Sequence, residues 1–211
     1  PTEGADTLVG TAGNDTINAL GGNDTINGGG GNDTINGGSG DDSITLSTGT
    51  DVIDGSDGTD TMILGGVPTS YPITYNASTQ VFSVKNDTYT STFTNIEKIS
   101  ASNIVYGIVK ASTNSTSILT GTASPDYLFG GASRDSLNGG SGADVMAGGL
   151  GDDIYFIDNS ADQIIENVES GNDEVQSSVS YTLEANLEKL NLSGTGNINA
   201  TGNNLSNIIN G

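Results

Sequence analysis

Aspartates recur at a fixed interval in two stretches of the sequence, and carboxylates at such spacing can act together on one ligand. In the first stretch they lie nine residues apart, at Asp6, Asp15, Asp24, Asp33, Asp42, Asp51 and Asp60. The same interval returns later, at Asp126, Asp135, Asp144, Asp153 and Asp162. Paired carboxylates can serve as the acid and base of a glycosidase. They can also bind a cation such as Ca²⁺, which takes roughly 6–8 oxygen ligands.

Each aspartate belongs to a longer unit with glycine before it and an apolar residue after it. In the first stretch a glycine stands two residues ahead, at Gly4, Gly13, Gly22, Gly31, Gly40, Gly49 and Gly58. An apolar residue stands two residues behind, at Leu8, Ile17, Ile26, Ile35, Ile44, Ile53 and Met62. In the second stretch that place holds Leu128, Leu137, Met146, Tyr155 and Ile164. Residues 1–63 are thus seven unbroken nonapeptides, and an internal repeat of this length is typical of a solenoid.

The nonapeptide predicts how the acids are positioned. Its glycine-rich half can turn with positive φ, and its x-apolar-x half suits a short strand with one side chain inward. One coil then takes two nonapeptides, so that Asp24 lies over Asp42 about one strand spacing (~4.8 Å) away. Columns of carboxylates at that distance repel each other, and a Ca²⁺ between neighbouring coils removes the repulsion.

The composition supports a cation-dependent fold and excludes several kinds of site. The formal net charge is −21, only 33% of residues are hydrophobic, and 32 residues are glycine. Low hydrophobicity with high net charge is typical of a chain that stays unfolded unless something neutralises it. With no Cys and no His, disulfides, thiolate zinc sites and Ser-His-Asp or Cys-His nucleophiles are excluded. Five basic residues form no patch for nucleic acid, and no apolar run reaches the length of a membrane span.

The alternatives for the acids explain less. An EF-hand needs D-x-[DN]-x-[DN]-G with Glu at position twelve between helices, and residues 51–60 do not fit it. A glycosidase pair is unnecessary because the repeat already accounts for every well-spaced pair of acids.

The unit resembles the G-G-x-G-x-D-x-U-x repeat of the RTX (haemolysin-type calcium-binding) family, and Gly28-Gly-Gly-Gly-Asn-Asp-Thr-Ile-Asn36 is its best copy. The resemblance covers residues 1–63 and 121–176 closely. It implies an all-β fold with two right-handed parallel β-rolls that bind Ca²⁺. It also implies that one coil supplies carbonyls from repeat positions 2 and 4 plus its Asp. The coil eighteen residues later then supplies positions 1 and 3 plus its Asp.

Carried onto this chain, the resemblance implies five sites in the first roll and three in the second. The expected ligands of the first roll are Thr2, Gly4, Asp6, Thr11, Gly13, Asp15, Ala19, Leu20, Gly21, Gly22, Asp24, Gly28, Gly29, Gly30, Gly31, Asp33, Gly37, Gly38, Ser39, Gly40, Asp42, Leu46, Thr48, Asp51, Gly55, Asp57 and Asp60. Those of the second roll are Thr122, Ser124, Asp126, Gly131, Ser133, Asp135, Gly139, Gly140, Ser141, Gly142, Asp144, Gly148, Leu150, Asp153, Ile157, Asn159 and Asp162. Eight Ca²⁺ would bring the net charge from −21 to about −5.

Departures from the repeat predict weak points in the second roll. Ser124, Ser133 and Ser160 stand at position 4, where a side chain disfavours positive φ. We expect weaker or missing sites there. An insertion of two residues before Asp173 is expected to end the regular stack.

The remaining segments lack the glycine rhythm. Residues 64–120 alternate polar with aromatic or aliphatic residues and contain turn-like stretches at 76–79 and 86–87, which predicts an antiparallel β spacer. Its aromatics are expected to form its own core, the alternative being a platform for sugars. Asn95-Ile-Glu-Lys-Ile99 recurs as Asn186-Leu-Glu-Lys-Leu190, so residues 177–211 are interpreted as a second spacer, a β tail that ends in a degenerate repeat.

These features favour a structural module over an enzyme. The leading hypothesis is a calcium-binding module of a large secreted bacterial surface protein, adhesin or S-layer-like, which folds on Ca²⁺ after type I secretion. The alternative is the non-catalytic C-terminal RTX region of a secreted hydrolase or polysaccharide-modifying enzyme. The expected location is extracellular, at the cell surface. The expected partners are calcium and either neighbouring copies or surface polysaccharide, with no nucleic acid.

Overall fold

The computed structural model describes residues 1–66, 71–85, 88–112, 114–168 and 170–211. Across these ranges the regular structure is strand throughout, without a helix. In the part of the chain so described, no helix is long and apolar enough to cross a membrane. The chain divides into two compact units, residues 1–74 with 80–106 and residues 75–79 with 107–211. The predicted turn at 86–87 lies outside the described residues.

The described residues form twenty-three short strands. The first eleven are β1 (Thr7–Val9), β2 (Thr16–Asn18), β3 (Thr25–Asn27), β4 (Thr34–Ser39), β5 (Ser43–Thr45), β6 (Val52–Asp57), β7 (Thr61–Leu64), β8 (Ile73–Asn76), β9 (Val81–Lys85), β10 (Thr90–Thr94) and β11 (Lys98–Ala101). The others are β12 (Ile104–Lys110), β13 (Ile118–Thr120), β14 (Asp126–Gly131), β15 (Ser136–Asn138), β16 (Val145–Gly149), β17 (Ile154–Ile157), β18 (Gln163–Ile164), β19 (Glu174–Ser177), β20 (Tyr181–Thr182), β21 (Lys189–Leu192), β22 (Ala200–Thr201) and β23 (Ile208–Asn210).

In the first unit, alternate nonapeptides contribute to two parallel sheets. One sheet runs β1-β3-β5-β7-β11, and the other contains β2-β4-β6-β10. Pairing is offset by eighteen residues, so that Ile26 lies beside Ile44 and Ile35 beside Ile53. This is the stack of two-nonapeptide coils that the period predicts, and the all-β parallel fold is confirmed.

The apolar residue of each nonapeptide forms the core between the sheets. From the second coil on, these side chains are at most 2% exposed, as seen at Ile26, Ile35, Ile44, Ile53 and Met62. Burying one such aliphatic side chain contributes roughly 1.5–3 kcal/mol, which compensates for the many glycines needed in the turns.

Parallel stacking continues beyond residue 63. After β9 pairs with β10 in the antiparallel manner expected of the spacer, β10 adds to β6 and β11 adds to β7, both in parallel. The stacked rings of Phe82 and Phe93 are buried, with centroids 4.8 Å apart. These two aromatics therefore belong to the core and offer no platform for sugars.

The second unit repeats the arrangement. One sheet contains β12-β14-β16-β18, another runs β13-β15-β17-β19-β21-β23, and β20 pairs with β22. The insertion before Asp173 ends the regular eighteen-residue offset, as predicted, because the next pairings are offset by twenty, fifteen and nineteen residues, but parallel stacking itself continues past it. Ile154 pairs with Glu174, and Lys189 and Ile208 follow in the same ladder. The two extra residues are absorbed before β19, because a loop between strands tolerates added length without a change in strand register.

Candidate metal centres

Where a nonapeptide begins with glycine, its turn brings the aspartate of the same repeat against that glycine. A Cβ on Gly37 would collide with Oδ2 of Asp42 and approach the carbonyl oxygen of Gly55 in the next coil. At the second position φ is positive in several turns, at 102° for Gly38, 81° for Leu20 and 73° for Ser56. Leu20 is an L-residue in a region that favours glycine, so its backbone is held there by the neighbouring coils at a cost of roughly 1–2 kcal/mol.

A ladder of hydrogen bonds joins the aspartates of successive coils. The backbone N–H of each aspartate donates to Oδ1 of the aspartate one coil later. In the first unit these bonds measure 2.7–3.0 Å and join Asp6 to Asp24, Asp15 to Asp33, Asp24 to Asp42, Asp33 to Asp51 and Asp42 to Asp60. In the second they measure 2.7–3.1 Å and join Asp126 to Asp144, Asp135 to Asp153, Asp144 to Asp162 and Asp153 to Asp173.

In most inner coils the other carboxylate oxygen, Oδ2, has no hydrogen bond. Exceptions are Asp51, whose Oδ2 accepts the hydroxyl of Ser47 at 3.1 Å, and Asp135, whose Oδ2 accepts the N–H of Gly131 at 2.8 Å. Among the described residues, seven buried Oδ2 atoms are without a partner, those of Asp24, Asp33, Asp42, Asp60, Asp144, Asp153 and Asp173. Nearly all buried polar atoms in proteins are hydrogen-bonded, and an uncompensated buried carboxylate is costly. These oxygens are therefore poised to bind a cation.

The outermost aspartates are satisfied differently. Oδ2 of Asp6 accepts bonds from the backbone N–H (2.5 Å) and the hydroxyl (3.0 Å) of Thr2. Thr11 does the same for Asp15, and Thr122 for Asp126. In these three coils the threonine at position 2 thus donates to Oδ2, the oxygen that has no hydrogen bond in most inner coils.

Burial and like charge act on the inner aspartates together. Burial, together with the charge of the neighbouring acids, raises the pKa of Asp60 and of Asp144 to about 6. Burial also raises the pKa of Asp153 to about 7. At the end of a column the opposite holds, because the hydrogen bonds from Thr2 lower the pKa of Asp6. The aspartates inside the columns are thus more stable when protonated or bound to a metal ion than as free carboxylates.

Several carbonyls expected as ligands lie in the inter-coil contacts. Those of Thr11, Leu20, Ser39, Asp57 and Gly131 each accept a backbone N–H from the adjacent coil at 2.8–3.0 Å. A carbonyl oxygen has two lone pairs, so such a bond leaves one for a cation. Their role as ligands stays a prediction, as does that of the other expected turn residues.

The serine-containing turns differ from the glycine turns. Ser124 and Ser133 do not adopt positive φ, whereas Gly142 and Gly151 at the same repeat position do, at 156° and 124°. In the turn of Ser160, Asn159 donates its backbone N–H to Oδ2 of Asp162 at 3.1 Å. The side-chain amide of Asn159 donates to the carbonyl of Gly142.

Three residues that sequence reasoning did not place in the columns occupy the position of the next aspartate. Oε2 of Glu97 accepts the N–H of Asp60 at 3.0 Å, and Oε2 of Glu188 accepts that of Asp173 at 2.8 Å. The hydroxyl of Ser91 accepts the N–H of Asp51 at 2.9 Å.

The sequence contains a pattern that could have predicted the position of the two glutamates. Glu97 and Glu188 are the acids of the recurring Asn-x-Glu-Lys-x segment, and each precedes a buried aliphatic residue by two positions. That is the relation of Asp to its apolar residue in the nonapeptide. Asn95 and Asn186, which open the two segments, have φ of 50° and 66°.

Oxygen-only turns of this kind suit Ca²⁺, which accepts carboxylate and carbonyl oxygens in flexible geometry. Softer metals favour imidazole and thiolate ligands, and the sequence contains neither His nor Cys. The residues therefore fit calcium, and the unpartnered Oδ2 atoms are the observation on which that fit rests.

The comparison with protein families agrees with the geometry. The family model of the RTX calcium-binding nonapeptide repeat matches residues 2–35, 28–62 and 120–155. No curated protein matches the chain. Among solved structures, the extracellular lipase LipA from Serratia marcescens aligns with 92% of this chain and 32% of its own, at 15% identity and a TM-score of 0.35. The chain thus spans about a third of the length of that lipase. Residues 2–62 and 120–155 match the RTX calcium-binding nonapeptide repeat, so the chain carries repeats of this kind in both stretches.

Proposed function

We propose that the chain is a calcium-folded structural module of a large secreted bacterial surface protein. The observation that carries the proposal is the set of buried, unpartnered Oδ2 atoms aligned along the acid columns. A folded chain with these atoms ionised and uncompensated is unfavourable, and binding of divalent cations removes that penalty.

The columns divide two tasks between the oxygens of each aspartate. Oδ1 accepts the N–H of the previous coil and so fixes the register of stacking. Oδ2 of Asp42 lies against the glycine turn, where a Cβ on Gly37 would meet both this oxygen and the carbonyl oxygen of Gly55 in the next coil. Bound calcium supplies the positive charge that lets the carboxylates stack. We assign no catalytic step to these residues.

The proposal includes a switch between compartments. Extracellular calcium modules bind at about 10⁻⁴–10⁻³ M, a range that external calcium can fill. The chain would then be unfolded before secretion and folded outside the cell. RTX repeats are typical of extracellular proteins that leave the cell by type I secretion, which supports this location.

Circular dichroism during a calcium titration tests the proposal. We expect a largely unfolded chain in EDTA, a cooperative gain of β signal with calcium, and reversal on renewed chelation. Magnesium at the same concentration is the control, because it demands near-ideal octahedral geometry and keeps most of its water. Full β signal and unchanged thermal stability in EDTA would refute calcium-coupled folding.

The surface-protein part of the proposal rests on the recurrence of a roll followed by an Asn-x-Glu-Lys-x segment. Such an array suits an extended structure that presents itself to neighbouring copies or to surface polysaccharide. The coding sequence around these 211 residues discriminates between the hypotheses. Further rolls support the surface protein, whereas an H-E-x-x-H or G-x-S-x-G motif supports the RTX region of a secreted hydrolase.

A further inference from the structure

The acid ladder passes through the insertion of the second unit and gains a third carboxylate there. The N–H of Asp153 donates to Oδ1 of Asp173 at 2.8 Å, although twenty residues separate the two rather than eighteen. The inserted loop carries Glu166. Its Oε1 accepts the hydroxyl of Tyr155, and its Oε2 accepts the hydroxyl of Ser170 at 2.6 Å. Two hydroxyls thus hold the Glu166 carboxylate in one orientation.

The three acids converge on one small volume. Asp153, Glu166 and Asp173 each place a carboxylate oxygen within 4.8 Å of the other two. Calcium binds oxygens at about 2.3–2.6 Å, so two ligands on opposite sides of one ion lie up to about 5 Å apart. All three oxygens therefore fit within a single coordination sphere. Among the residues that the structure describes, this is the one group of three such acids.

In two of these acids a buried oxygen has no hydrogen bond, and that of Asp153 lies near the Tyr155 hydroxyl that bonds to Glu166, because a Cβ on Gly148 would meet both atoms at 2.1 Å. Asp153 is 1% exposed and Asp173 is 0% exposed, and Oδ2 of each is without a hydrogen bond. Burial raises the pKa of Asp153 and of Glu166 to about 7, and that of Asp173 to about 6. The hydrogen bonds around Glu166 satisfy its own carboxylate but leave the two aspartate oxygens open to a ligand of positive charge.

We propose that Asp153, Glu166 and Asp173 form a three-carboxylate calcium site at the insertion, which fills before the two-carboxylate sites of the regular turns. The reason is charge: the number of charged ligands helps to set the calcium affinity of oxygen sites, and this site has three carboxylates where the regular turns have two. The inference rests on the proposed calcium-binding function of the columns. The two inserted residues thus add a ligand where the sequence pattern alone predicts the end of the stack.

The test compares two Glu→Gln variants of the whole chain. In Glu166→Gln the third carboxylate is lost. In the control Glu184→Gln, the same charge is removed from a glutamate that also accepts a tyrosine hydroxyl, that of Tyr181 at 2.5 Å. Ions bound are counted by native mass spectrometry during a calcium titration, with isothermal calorimetry for affinity. We expect Glu166→Gln to lose one ion from the class that fills first, and Glu184→Gln to match the unmodified chain.

The outcomes separate this inference from the proposed function. An unchanged first class in Glu166→Gln overturns the three-carboxylate site, while calcium binding by the unmodified chain still supports the proposed function. If the unmodified chain binds no calcium, the proposed function itself fails. A Glu166→Gln variant that folds fully at raised calcium supports the site. A β signal that stays low at every calcium concentration assigns Glu166 to packing and overturns it.

Discussion

Replacement of Asp42 by asparagine separates the two tasks of the column. Asp42 is buried, its Oδ1 accepts the N–H of Asp24 at 2.8 Å, and its Oδ2 is unpartnered. In Asp42→Asn the amide oxygen can still accept the Asp24 N–H, so the ladder bond is kept. The amide nitrogen then places donors where we expect a cation. If the columns only form hydrogen bonds, the substitution is neutral or stabilising, because it relieves repulsion between like charges.

The structure gives the size of the effect if the columns hold calcium. Asp42 lies between Asp24 and Asp60, so its loss affects two predicted sites. A bound ligand at a concentration 100 times its Kd stabilises the folded state by about 2.7 kcal/mol. The loss of two such ions costs about 5 kcal/mol, which approaches the whole stability of many small domains.

A neighbouring residue provides the matched control. Asp41 is exposed, and its Oδ1 accepts the N–H of Thr59 at 2.9 Å. Asn23 and Asn32 make the equivalent bonds from the same repeat position. Asp41→Asn therefore removes the same charge with a residue that the repeat already uses, and we expect a change within about 0.5 kcal/mol.

Urea unfolding at a fixed calcium excess, followed by circular dichroism, measures both variants. We expect Asp42→Asn to lose most of its resistance to urea and to need more calcium to fold, with Asp41→Asn close to the unmodified chain. Equal stability of the two variants in calcium would refute the reasoning, and so would a gain in stability for Asp42→Asn.

Three further outcomes follow from the same geometry. Glu97→Gln keeps an acceptor for the N–H of Asp60 but removes a charge from the column, so it should raise the calcium concentration at which half of the first unit is folded. Protection from trypsin during a calcium titration measures that concentration, and an unchanged value would contradict a ligand role for Glu97. In EDTA, the β signal in circular dichroism should increase as the pH falls from about 7 to about 4. Burial raises the pKa of Asp153 to about 7 in the folded chain, so protonation of this carboxyl stabilises the fold; the stabilisation is complete below the pKa of the unfolded chain and is lost as the pH rises through the pKa of the folded chain. A β signal that decreases on acidification would contradict this. Gly37→Ala should destabilise the folded state by roughly 1–3 kcal/mol through its collision with a carboxylate and a carbonyl, whereas Gly196→Ala meets nothing within 4 Å and should be neutral in thermal melts.

The period of nine was sufficient to predict the coils and the stacked aspartates. It fixes which residues share a turn and which share a strand, and the pairing of Ile26 with Ile44 follows from it. Positive φ at Leu20 lies outside what residue type predicts, because the neighbouring coils impose that conformation on a residue that disfavours it.

The sequence was less informative where the glycine rhythm stops. β10 and β11 stack in parallel although residues 90–101 contain no glycine. Stacking on the previous coil requires a strand and an acceptor for the N–H of its aspartate, and neither requires a glycine turn. Glu97 is that acceptor for Asp60, and because it is a glutamate, a search for aspartates at the repeat spacing does not find it. The third carboxylate at Glu166 comes from an inserted loop, and no spacing rule places a loop side chain.

The N–H to carboxylate ladder has a direction, and so its two ends are chemically unlike. In every inner coil the aspartate N–H donates to the next coil, and Oδ1 accepts from the previous one. A further identical coil could therefore be added head to tail without limit, as in a growing filament. Glu97 breaks the sequence: it accepts the N–H of Asp60, but its own N–H turns back to the carbonyl of Asp60 at 3.1 Å. The ladder that runs from Asp6 to Asp60 therefore ends at Glu97, because the N–H of Glu97 is bonded back to Asp60 and is not available to a further acid.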